Sequence, residues 1–481
     1  MIASPDIPDM TATGQQVLVE GPVPRPDDRK DWKMPASAVA AALAQRETTP
    51  LQPVVFVATS ERRADEIAAA LAVMVGDAEV LVLPPWDCLP YDRAAPSRES
   101  MGRRMAVLAA LAETGDRRTF LITSPDAVAQ RTPPRERIDA RLRVKADETL
   151  DRAAFETFLR DAGYAADERV DEPGEYAVLG AVIDVFPPAS AQPYRLTLDE
   201  ADRIIEIHAF DPVSQRREAE TATLCLTPAS EWGPGAGARD DHDDPDARAS
   251  RDGARATTVF DFLADPAILT DIGLDDRFAR LGAQVIEAYD TRLRFSDGAP
   301  PLQPDRVYLS DAEIGRALKG ATTLAVETFA SAPVFALERA PGRALKRFIA
   351  DRCDAGDRVV LTGLAHEHRS LARLLRRQGV EAPVALEDWD AIASLAPGRI
   401  GLVVADLDTG FQQREAGLVV VTPSDIFGGR IARGSSGSVD AFGDTELRLG
   451  DVVIHEDHGL GVLKALECVT ADGMELSLIH I

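Results

Sequence analysis

The chain has 481 residues, of which 45% are hydrophobic and 27% charged, and its formal net charge at pH 7 is −26. This length allows three to four domains, each able to bury its own core, at roughly 100 to 200 residues per domain. A strongly negative net charge argues against a chain that holds DNA through its overall field, because phosphate binding requires clustered Lys and Arg. Protein partners are therefore expected.

The sequence predicts a cytoplasmic protein. No apolar run approaches the roughly 18 residues of a membrane span, and the first residues lack the basic and apolar regions of a secretory signal. The four cysteines, Cys88, Cys225, Cys353 and Cys468, lie far apart and form no CxxC pair. Neither a disulfide framework nor a zinc site is indicated, so the cysteines are interpreted as packing residues in a reducing compartment.

Residues 1–50 form a Pro- and Asp-containing arm with one possible helix over residues 36–45, and such an arm is expected to be mobile. Residues 51–137 then alternate strands and helices. The predicted strands are 54–58, 80–83 and 120–123, and the predicted helices are 60–74, 97–113 and one that begins at Ser124. Short, continuously apolar strands separated by helices predict an open parallel sheet covered on both faces, and Ser60 is a predicted N-cap.

Sheets of this kind usually bind ligands at the carboxyl ends of their strands, but phosphate-binding glycines are missing there. The chain contains no Gly-Lys dipeptide and hence no GxxxxGK[ST] motif, and the segment Thr59-Ser-Glu-Arg-Arg63 after the first strand has no glycine. No cofactor is therefore expected in this chain. The sequence also indicates no catalytic or metal site.

An aromatic and arginine cluster follows the second strand. The loop Pro84-Pro-Trp-Asp-Cys-Leu-Pro-Tyr-Asp92 is followed by Arg93, Arg98, Arg103 and Arg104. Such a cluster is able to stack on a nucleic-acid base. The more frequent arrangement is a packed loop followed by a solvated helix start, and this is the preferred interpretation.

Residues 138–226 change character. An amphipathic helix over 149–162 is followed by closely spaced strands at 194–198 and 203–210, which predicts an α+β module with an antiparallel sheet. Residues 172–188 are predicted to form a hairpin, because apolar residues alternate on both sides of Gly180 and Pro187-Pro188 ends the second strand. Gly180 indicates a bulge or a tight bend. His208, in the last strand, is interpreted as a satisfied core or surface residue.

The remaining segments differ in composition. Residues 227–340 contain a flexible insert at 233–255, whose acidic run is interpreted as solvated, and then elements at 259–263 and 280–295 that complete the first module. Residues 341–430 predict a small α/β domain. The i, i+2 spacing of His366 and His368 excludes a metal site on one helix face. Residues 431–446 have the composition of a linker, and residues 447–481 begin a β-rich segment.

Three segments of the chain resemble one known family. Gly174-Glu-Tyr-Ala-Val-Leu-Gly-Ala-Val-Ile-Asp-Val-Phe-Pro187 resembles the GEF-x-x-RG-x-x-(I/L)D-(I/L)FP signature shared by UvrB and the transcription-repair coupling factors (the Mfd family). Phe210-Asp-Pro-Val-Ser-Gln215 matches the same module, and the Trp86 loop resembles the first module of these coupling factors. The resemblance covers nearly residues 50–475.

The last segment carries the most specific motif. Gly450-Asp-Val-Val-Ile-His-Glu-Asp-His-Gly-Leu-Gly461 resembles the GD-x-VVH-x-x-HG-x-G signature of CarD-like, Tudor-like modules, which bind the RNA polymerase β subunit. The resemblance implies a β-barrel of this type at 447–481 that is cut short by the chain end. The implied polymerase contacts are His455, His458, Gly459, Gly461 and Val469. Residues 476–481 also resemble translated sequencing-adaptor sequence, and no function is drawn from them.

The resemblance implies a multidomain α/β architecture. It consists of an open parallel-sheet, helicase-like module with a degenerate nucleotide site, an inserted α+β UvrB-like domain, a small α/β domain and the truncated barrel. The 138–226 module is implied to dock on UvrA. The residues expected on or under that surface are Glu175, Tyr176, Val178, Leu179, Gly180, Asp184 and Phe186.

The family displaces RNA polymerase stalled at a DNA lesion with an ATP-driven double-stranded DNA translocase, and it recruits UvrA. This chain ends before that motor would begin, so the resemblance implies no enzyme activity here and assigns ATP, magnesium and double-stranded DNA to absent C-terminal domains. Two departures bear on UvrA binding: Leu179 replaces the family arginine, and an aromatic helical segment after residue 233 is missing. The alternatives are a CarD-like polymerase regulator without a repair role and a nucleotide-binding α/β enzyme.

Overall fold

The computed structural model describes residues 34–46, 52–92, 94–113, 117–232, 257–295, 300–324 and 328–428, together with the backbone of four strands between 452 and 480. Apart from Met34, these residues all belong to one of the chain's two units, Pro35–Ile481. Within them, no helix is long and apolar enough to cross a membrane. The same residues contain no group of three or more His, Cys, Asp or Glu side chains placed to hold a metal ion.

The helices are α1 Ala36–Ala44, α2 Glu61–Met74, α3 Arg98–Ala112, α4 Pro125–Ala129, α5 Arg135–Asp139, α6 Arg152–Asp161, α7 Leu274–Arg294, α8 Pro304–Val307, α9 Asp311–Ala317, α10 Pro341–Asp354, α11 Ala365–Arg377 and α12 Pro423–Phe427. Short 3₁₀ helices cover Val259–Phe262, Phe335–Leu337 and Asp390–Ser394.

The first strands are β1 Val54–Val57, β2 Glu79–Leu83, β3 Thr119–Thr123, β4 Leu142–Lys145, β5 Ala165–Ala166, β6 Glu175–Leu179, β7 Val182–Val185, β8 Tyr194–Leu198, β9 Ile204–Phe210, β10 Arg217–Glu220, β11 Thr223–Leu226 and β12 Ala267–Thr270. The later strands are β13 Thr322–Thr323, β14 Phe329–Ser331, β15 Arg358–Gly363, β16 Val384–Ala385, β17 Ile400–Val404, β18 Phe411–Gln413, β19 Leu418–Val421, β20 Val452–His455, β21 Gly459–Val462, β22 Ala465–Ala471 and β23 Met474–His480.

The first sheet is fully parallel, as predicted, with the order β13-β12-β1-β3-β2. Strands β1 and β3 are buried along their whole length, because helices cover the sheet. The predicted N-cap Ser60 accepts a hydrogen bond from the Arg63 backbone N–H at the start of α2, and Ser97 and Ser124 cap α3 and α4 in the same way. Strands β12 and β13 come from after residue 257 and extend this sheet.

Two segments with predicted elements form 3₁₀ helices. Residues 259–262 do so because Thr258 and Asp261 make a capping box there, and the strand that follows is β12. Asp390–Ser394 is the other. One expectation for these regions is wrong. Helix α1, expected in a mobile arm, is buried: it contacts α2, β14 and β18, and the Ser37 hydroxyl donates to the Thr409 carbonyl at 2.6 Å. Its small alanine side chains permit this close packing.

The second sheet has the order β10-β9-β8-β7-β6-β5 and is antiparallel apart from the β5–β6 pair. Helix α6 covers one face through Phe155 and Leu159, which share a core with Tyr176, Ile183 and Leu196. The predicted α+β module is therefore present. Strand β11 pairs with β4 beside this core and packs into it rather than into the first sheet.

The third sheet has the order β14-β18-β19-β15-β17-β16, parallel except at β14–β18–β19. Helices α10 and α11 pack against it. Farther along, β20 pairs with β21 and β22 with β23, in two separate two-stranded sheets. These four strands form no closed barrel within the residues described.

Candidate protein-interaction surface

The predicted hairpin is formed by β6 and β7. Leu179 pairs with Val182, which leaves Gly180 and Ala181 as a two-residue turn. Gly180 has a φ of +62°, and a Cβ added to it would lie more than 4 Å from every atom beyond its chain neighbours. A positive φ is readily available to glycine but strained for most other residues, so Gly180 marks a tight turn and not a bulge.

Burial divides the seven predicted UvrA-facing residues into two groups. Val178 and Leu179 are exposed by 36% and 52%, and Gly180 is also exposed. The other four, Glu175, Tyr176, Asp184 and Phe186, are buried. In this conformation only the hairpin tip can contact a partner directly, whereas the buried four lie beneath the surface and support it.

Each buried residue has an internal role. Tyr176 packs in the core under α6, and Phe186 packs with Val170 and Ala177 on the opposite side of the sheet. The Glu175 carboxylate accepts hydrogen bonds from the backbone N–H groups of Asp171 and Glu172, at 3.1 and 3.0 Å. These contacts fix the turn that leads into β6. They also supply the hydrogen-bond donors that a buried carboxylate requires.

Asp184 is held by an arginine on the neighbouring strand. Both Asp184 oxygens accept hydrogen bonds from Arg195, each at 2.7 Å, and Arg195 also donates to the Gln215 side chain at 3.0 Å. The Arg195 guanidinium lies 4.6 Å from the centre of the Phe210 ring. A bidentate pair of this kind fixes the orientation of both side chains on the sheet face and engages both Asp184 oxygens within the domain.

His208 extends the same cross-strand row, because Asp184 pairs with Arg195 and Arg195 pairs with His208. Its ring is 6% exposed, and its Nδ1 lies 3.5 Å from a Glu206 oxygen. Burial lowers the pKa of the His208 imidazole below its usual value; Glu206 opposes this shift, while the charges of Arg217 and Arg195 add to it. The ring is therefore kept neutral, and its buried Nδ1 has no hydrogen-bond partner among the described residues, so the expectation of a satisfied residue is wrong.

A second row crosses the same face of the sheet at the tip end. Leu179 pairs with Val182, Val182 with Thr197, and Thr197 with Glu206. The β8–β9 register shifts beside this row, where Ile205 is 57% exposed. The tip end of the sheet thus presents Leu179 to solvent at one end of the row and Ile205 beside Glu206 at the other, and these apolar side chains are available for a protein contact.

Sequence reasoning missed Arg152, which holds the tip in place. Its guanidinium donates to the Gly180 carbonyl at 2.6 Å and forms an ion pair with Asp202 at 2.5 Å. Arg152 is the first residue of α6, directly after the N-cap Asp151, and nothing in its local pattern indicates a contact 28 residues away. The turn is therefore anchored to α6 by its backbone.

The Trp86 loop is a packed loop, which is the interpretation that the sequence favoured. Trp86 is buried, its ring centre lies 6.1 Å from that of Trp232, and its Nε1 donates to Glu231 at 2.9 Å. Arg104 is fully buried beside it. No face of the Trp86 ring is open for a base, so the stacking alternative for this residue is wrong.

The amino end of α2, where a phosphate loop would lie, carries a carboxylate. Asp271 follows β12 at the same sheet edge, and it accepts hydrogen bonds from the Thr59 backbone N–H at 3.3 Å and from Arg63 Nη2 at 3.1 Å. An anion is stabilised at a helix amino terminus by the free N–H groups and the helix dipole. Here the chain supplies that anion itself.

The predicted polymerase contacts are described by their backbone alone. His455 in β20 pairs with Gly459 in β21, and Gly461 pairs with Val453. Val469 lies in β22 and pairs with Leu476. His458 lies outside the described residues. The structure brings His455, Gly459 and Gly461 into one hairpin and places Val469 in the other two-stranded sheet.

The segment that contains the second sheet matches a known protein family. The UvrB interaction domain family matches residues 142–232, which include the antiparallel sheet, α6 and the hairpin. The chain is therefore a protein with a UvrB interaction domain. It is 26% identical over 94% of its length to the transcription-repair-coupling factor of Escherichia coli (strain K12) and 27% identical over 88% to that of Myxococcus xanthus.

A third relative, the transcription-repair-coupling factor of Mycobacterium bovis, is 30% identical over 43% of this chain. The chain is thus similar to transcription-repair-coupling factors over most of its length. It covers 43% of the Escherichia coli protein and 41% of the Myxococcus xanthus protein, so it spans about two fifths of the length of these relatives.

Proposed function

We propose that this chain acts in transcription-coupled nucleotide-excision repair by binding UvrA and RNA polymerase in the cytoplasm. The observation that carries the UvrA assignment is the exposed, anchored hairpin tip of the UvrB interaction domain. ATP-driven translocation on DNA, with its ATP and magnesium, belongs in this proposal to the share of the relatives' length that the chain does not span.

Leu179 sets the strength of the UvrA contact. Its side chain is exposed at the tip, so a longer side chain fits there without repacking the core. An arginine at this position adds charge-assisted hydrogen bonds worth about 1.5 to 3 kcal/mol, which corresponds to roughly 10- to 100-fold in affinity. We therefore expect the present chain to bind UvrA more weakly than a variant with arginine at the tip.

The test measures the binding of the chain to immobilised UvrA. Leu179→Arg should tighten binding at least about tenfold. The matched control is Leu337→Arg, which places the same residue at a leucine that is 86% exposed on a 3₁₀ helix outside this domain, and it should bind like the parent. Equal binding by Leu179→Arg and the parent contradicts the assignment of the tip.

Polymerase binding is assigned to residues 447–475. The hairpin of β20 and β21 and the strand β22 have the alternating pattern of a sheet whose edge is open to a partner strand. A chain extended past residue 481 should bind the β subunit more tightly than this one. Val469→Arg in the extended chain should abolish that binding by burying an unpaired charge. Normal binding by the arginine variant contradicts this part of the proposal.

A further inference from the structure

Helices α10 and α11 carry a dense group of exposed cations in a chain whose net charge is −26. This basic face consists of Arg343, Lys346, Arg347, Arg369, Arg373, Arg376 and Arg377, all exposed. On α11 the arginines recur at intervals of three and four residues, which places them along one side of the helix. Positions 369 to 377 span about 12 Å at 1.5 Å per residue.

The two helices present their cations on one surface. Leu345 and Ile349 of α10 share a core with Leu371 and Leu375 of α11, so both helices lie on the same side of the third sheet. A Cβ at Gly342 would lie 3.2 Å from Leu374 Cδ1. The first turns of α10 therefore adjoin the last turns of α11, where most of the cations lie.

These cations lack the internal partners that arginines have elsewhere. None of the seven makes an ion pair or side-chain hydrogen bond with any residue that the structure describes. Arginines of similar exposure in the first two modules are paired with carboxylates: Arg62 with Glu66, Arg103 with Glu99, Arg135 with Asp139 and Arg203 with Asp147. Unpaired like charges repel one another at short range. Clustering these seven cations therefore costs free energy that an even spread of surface charge would avoid.

Helix stability explains only part of the cluster. Arg376 and Arg377 lie in the last turn of α11, where cations interact favourably with the helix dipole. Arg343 lies in the first turn of α10, where the dipole disfavours a cation. The distribution therefore fits a shared external anion better than the stabilisation of each helix.

The surroundings of the cations point to a phosphate backbone. None of the large hydrophobic side chains exposed in the described structure lies on α10 or α11, and the exposed positions between the cations include Ala350 and Ala372. Protein interfaces are usually centred on aromatic or aliphatic anchors, and single-stranded nucleic acid is bound on exposed aromatic rings. Guanidinium groups match phosphate oxygens, and six of the seven cations are arginines.

We propose that α10 and α11 form a binding face for the phosphate backbone of double-stranded DNA, which recognises charge and not sequence. This goes beyond the proposed binding of UvrA and polymerase and differs from the expectation that only absent domains contact DNA. The net charge does not prevent it, because charges more than about 8 Å apart on the surface are largely screened at physiological salt. The contact would hold duplex DNA beside the repair and polymerase partners.

The test is fluorescence anisotropy of a labelled 25-base-pair duplex with the whole chain at about 20 to 200 mM salt. The parent should bind at the lowest salt and weaken steeply as salt rises. The variant Arg369→Gln, Arg373→Gln, Arg376→Gln, Arg377→Gln should bind at least about tenfold more weakly, and the slope of log K against log salt should fall by about 3. Urea unfolding confirms that each variant is folded.

The matched control removes four paired arginines with the same change in net charge: Arg62→Gln, Arg103→Gln, Arg135→Gln, Arg203→Gln. It should bind duplex like the parent. The proposal is overturned if the parent fails to bind at the lowest salt, or if the control loses as much affinity as the α11 variant. Tighter binding of a single strand of equal length, or equally strong competition by polyglutamate, also overturns it.

Discussion

Arg104 and Glu231 form a buried ion pair that joins the first module to the end of the UvrB interaction domain. Arg104 Nε donates to Glu231 Oε1 at 2.5 Å, and the two side chains are 0% and 3% exposed. The Trp86 indole shares the same acceptor, while Arg104 also donates to the Gln130 side chain at 3.1 Å. The pair thus connects positions 127 residues apart in the chain.

Removing one partner of this pair should destabilise the protein strongly. Arg104→Met leaves the Glu231 carboxylate buried without its counter-charge, which costs about 3 to 5 kcal/mol. Arg62→Met, which breaks a pair whose arginine is about half exposed, should cost less than about 1 kcal/mol. Urea unfolding of both variants measures the difference. Similar losses for the two would mean that the buried pair contributes no more than a surface pair.

The base of the hairpin packs against α3 at Gly102, where the two segments approach so closely that only glycine fits. A Cβ at Gly102 would lie 2.3 Å from Pro188 Cβ, so Gly102→Ala forces the UvrB interaction domain away from α3. We expect a loss of about 1 to 3 kcal/mol by overpacking. Gly315→Ala, in a helix with open space around the site, should be neutral or slightly stabilising. Thermal unfolding compares them; tolerance of Gly102→Ala would show that the two modules can separate freely.

The neutral His208 should make the protein less stable in acid. Its folded-state pKa lies below the ordinary value of about 6.5, so below that pH the unfolded chain binds a proton that the folded chain does not. The contribution of His208 to the free energy of unfolding should therefore fall as the pH is lowered from 8 to 5.5, by at most about 1.4 kcal/mol per pH unit. Urea unfolding of the parent and His208→Gln over this range checks it. Parallel pH curves for the two proteins would contradict the prediction.

The Asp271 carboxylate should keep ATP out of the first module. It occupies the amino end of α2, and its pair with Arg63 is largely buried, with side chains 13% and 14% exposed. Millimolar ATP with magnesium should leave the unfolding temperature of the parent unchanged. Asp271→Asn should lose about 1.5 to 3 kcal/mol, because the bonds to Arg63 are charge-assisted. A rise in the parent's unfolding temperature with ATP would contradict this and favour a nucleotide-binding enzyme.

Several local elements could be predicted from the sequence. The parallel strands, the Ser60 N-cap and the hairpin with Gly180 at its turn depend on apolar alternation and on residues within about four positions of one another. The type of the element at 259–262 could not be predicted, because its apolar residues fit a helix or a strand, and the capping box of Thr258 and Asp261 makes it a 3₁₀ helix. The net charge of the whole chain did not indicate the basic face on α10 and α11, because a sum over all residues contains no information about where like charges cluster.

Sequence alone determined the family resemblance and the identity of the hairpin. Only the tertiary structure decided that Glu175, Tyr176, Asp184 and Phe186 are buried while Leu179 is exposed, and that Arg152 anchors the Gly180 turn. It also decided that Asp271 fills the amino end of α2. The physical reason is the range of the interactions: alternation and capping act between near neighbours, whereas burial and ion pairing depend on which distant segments pack together.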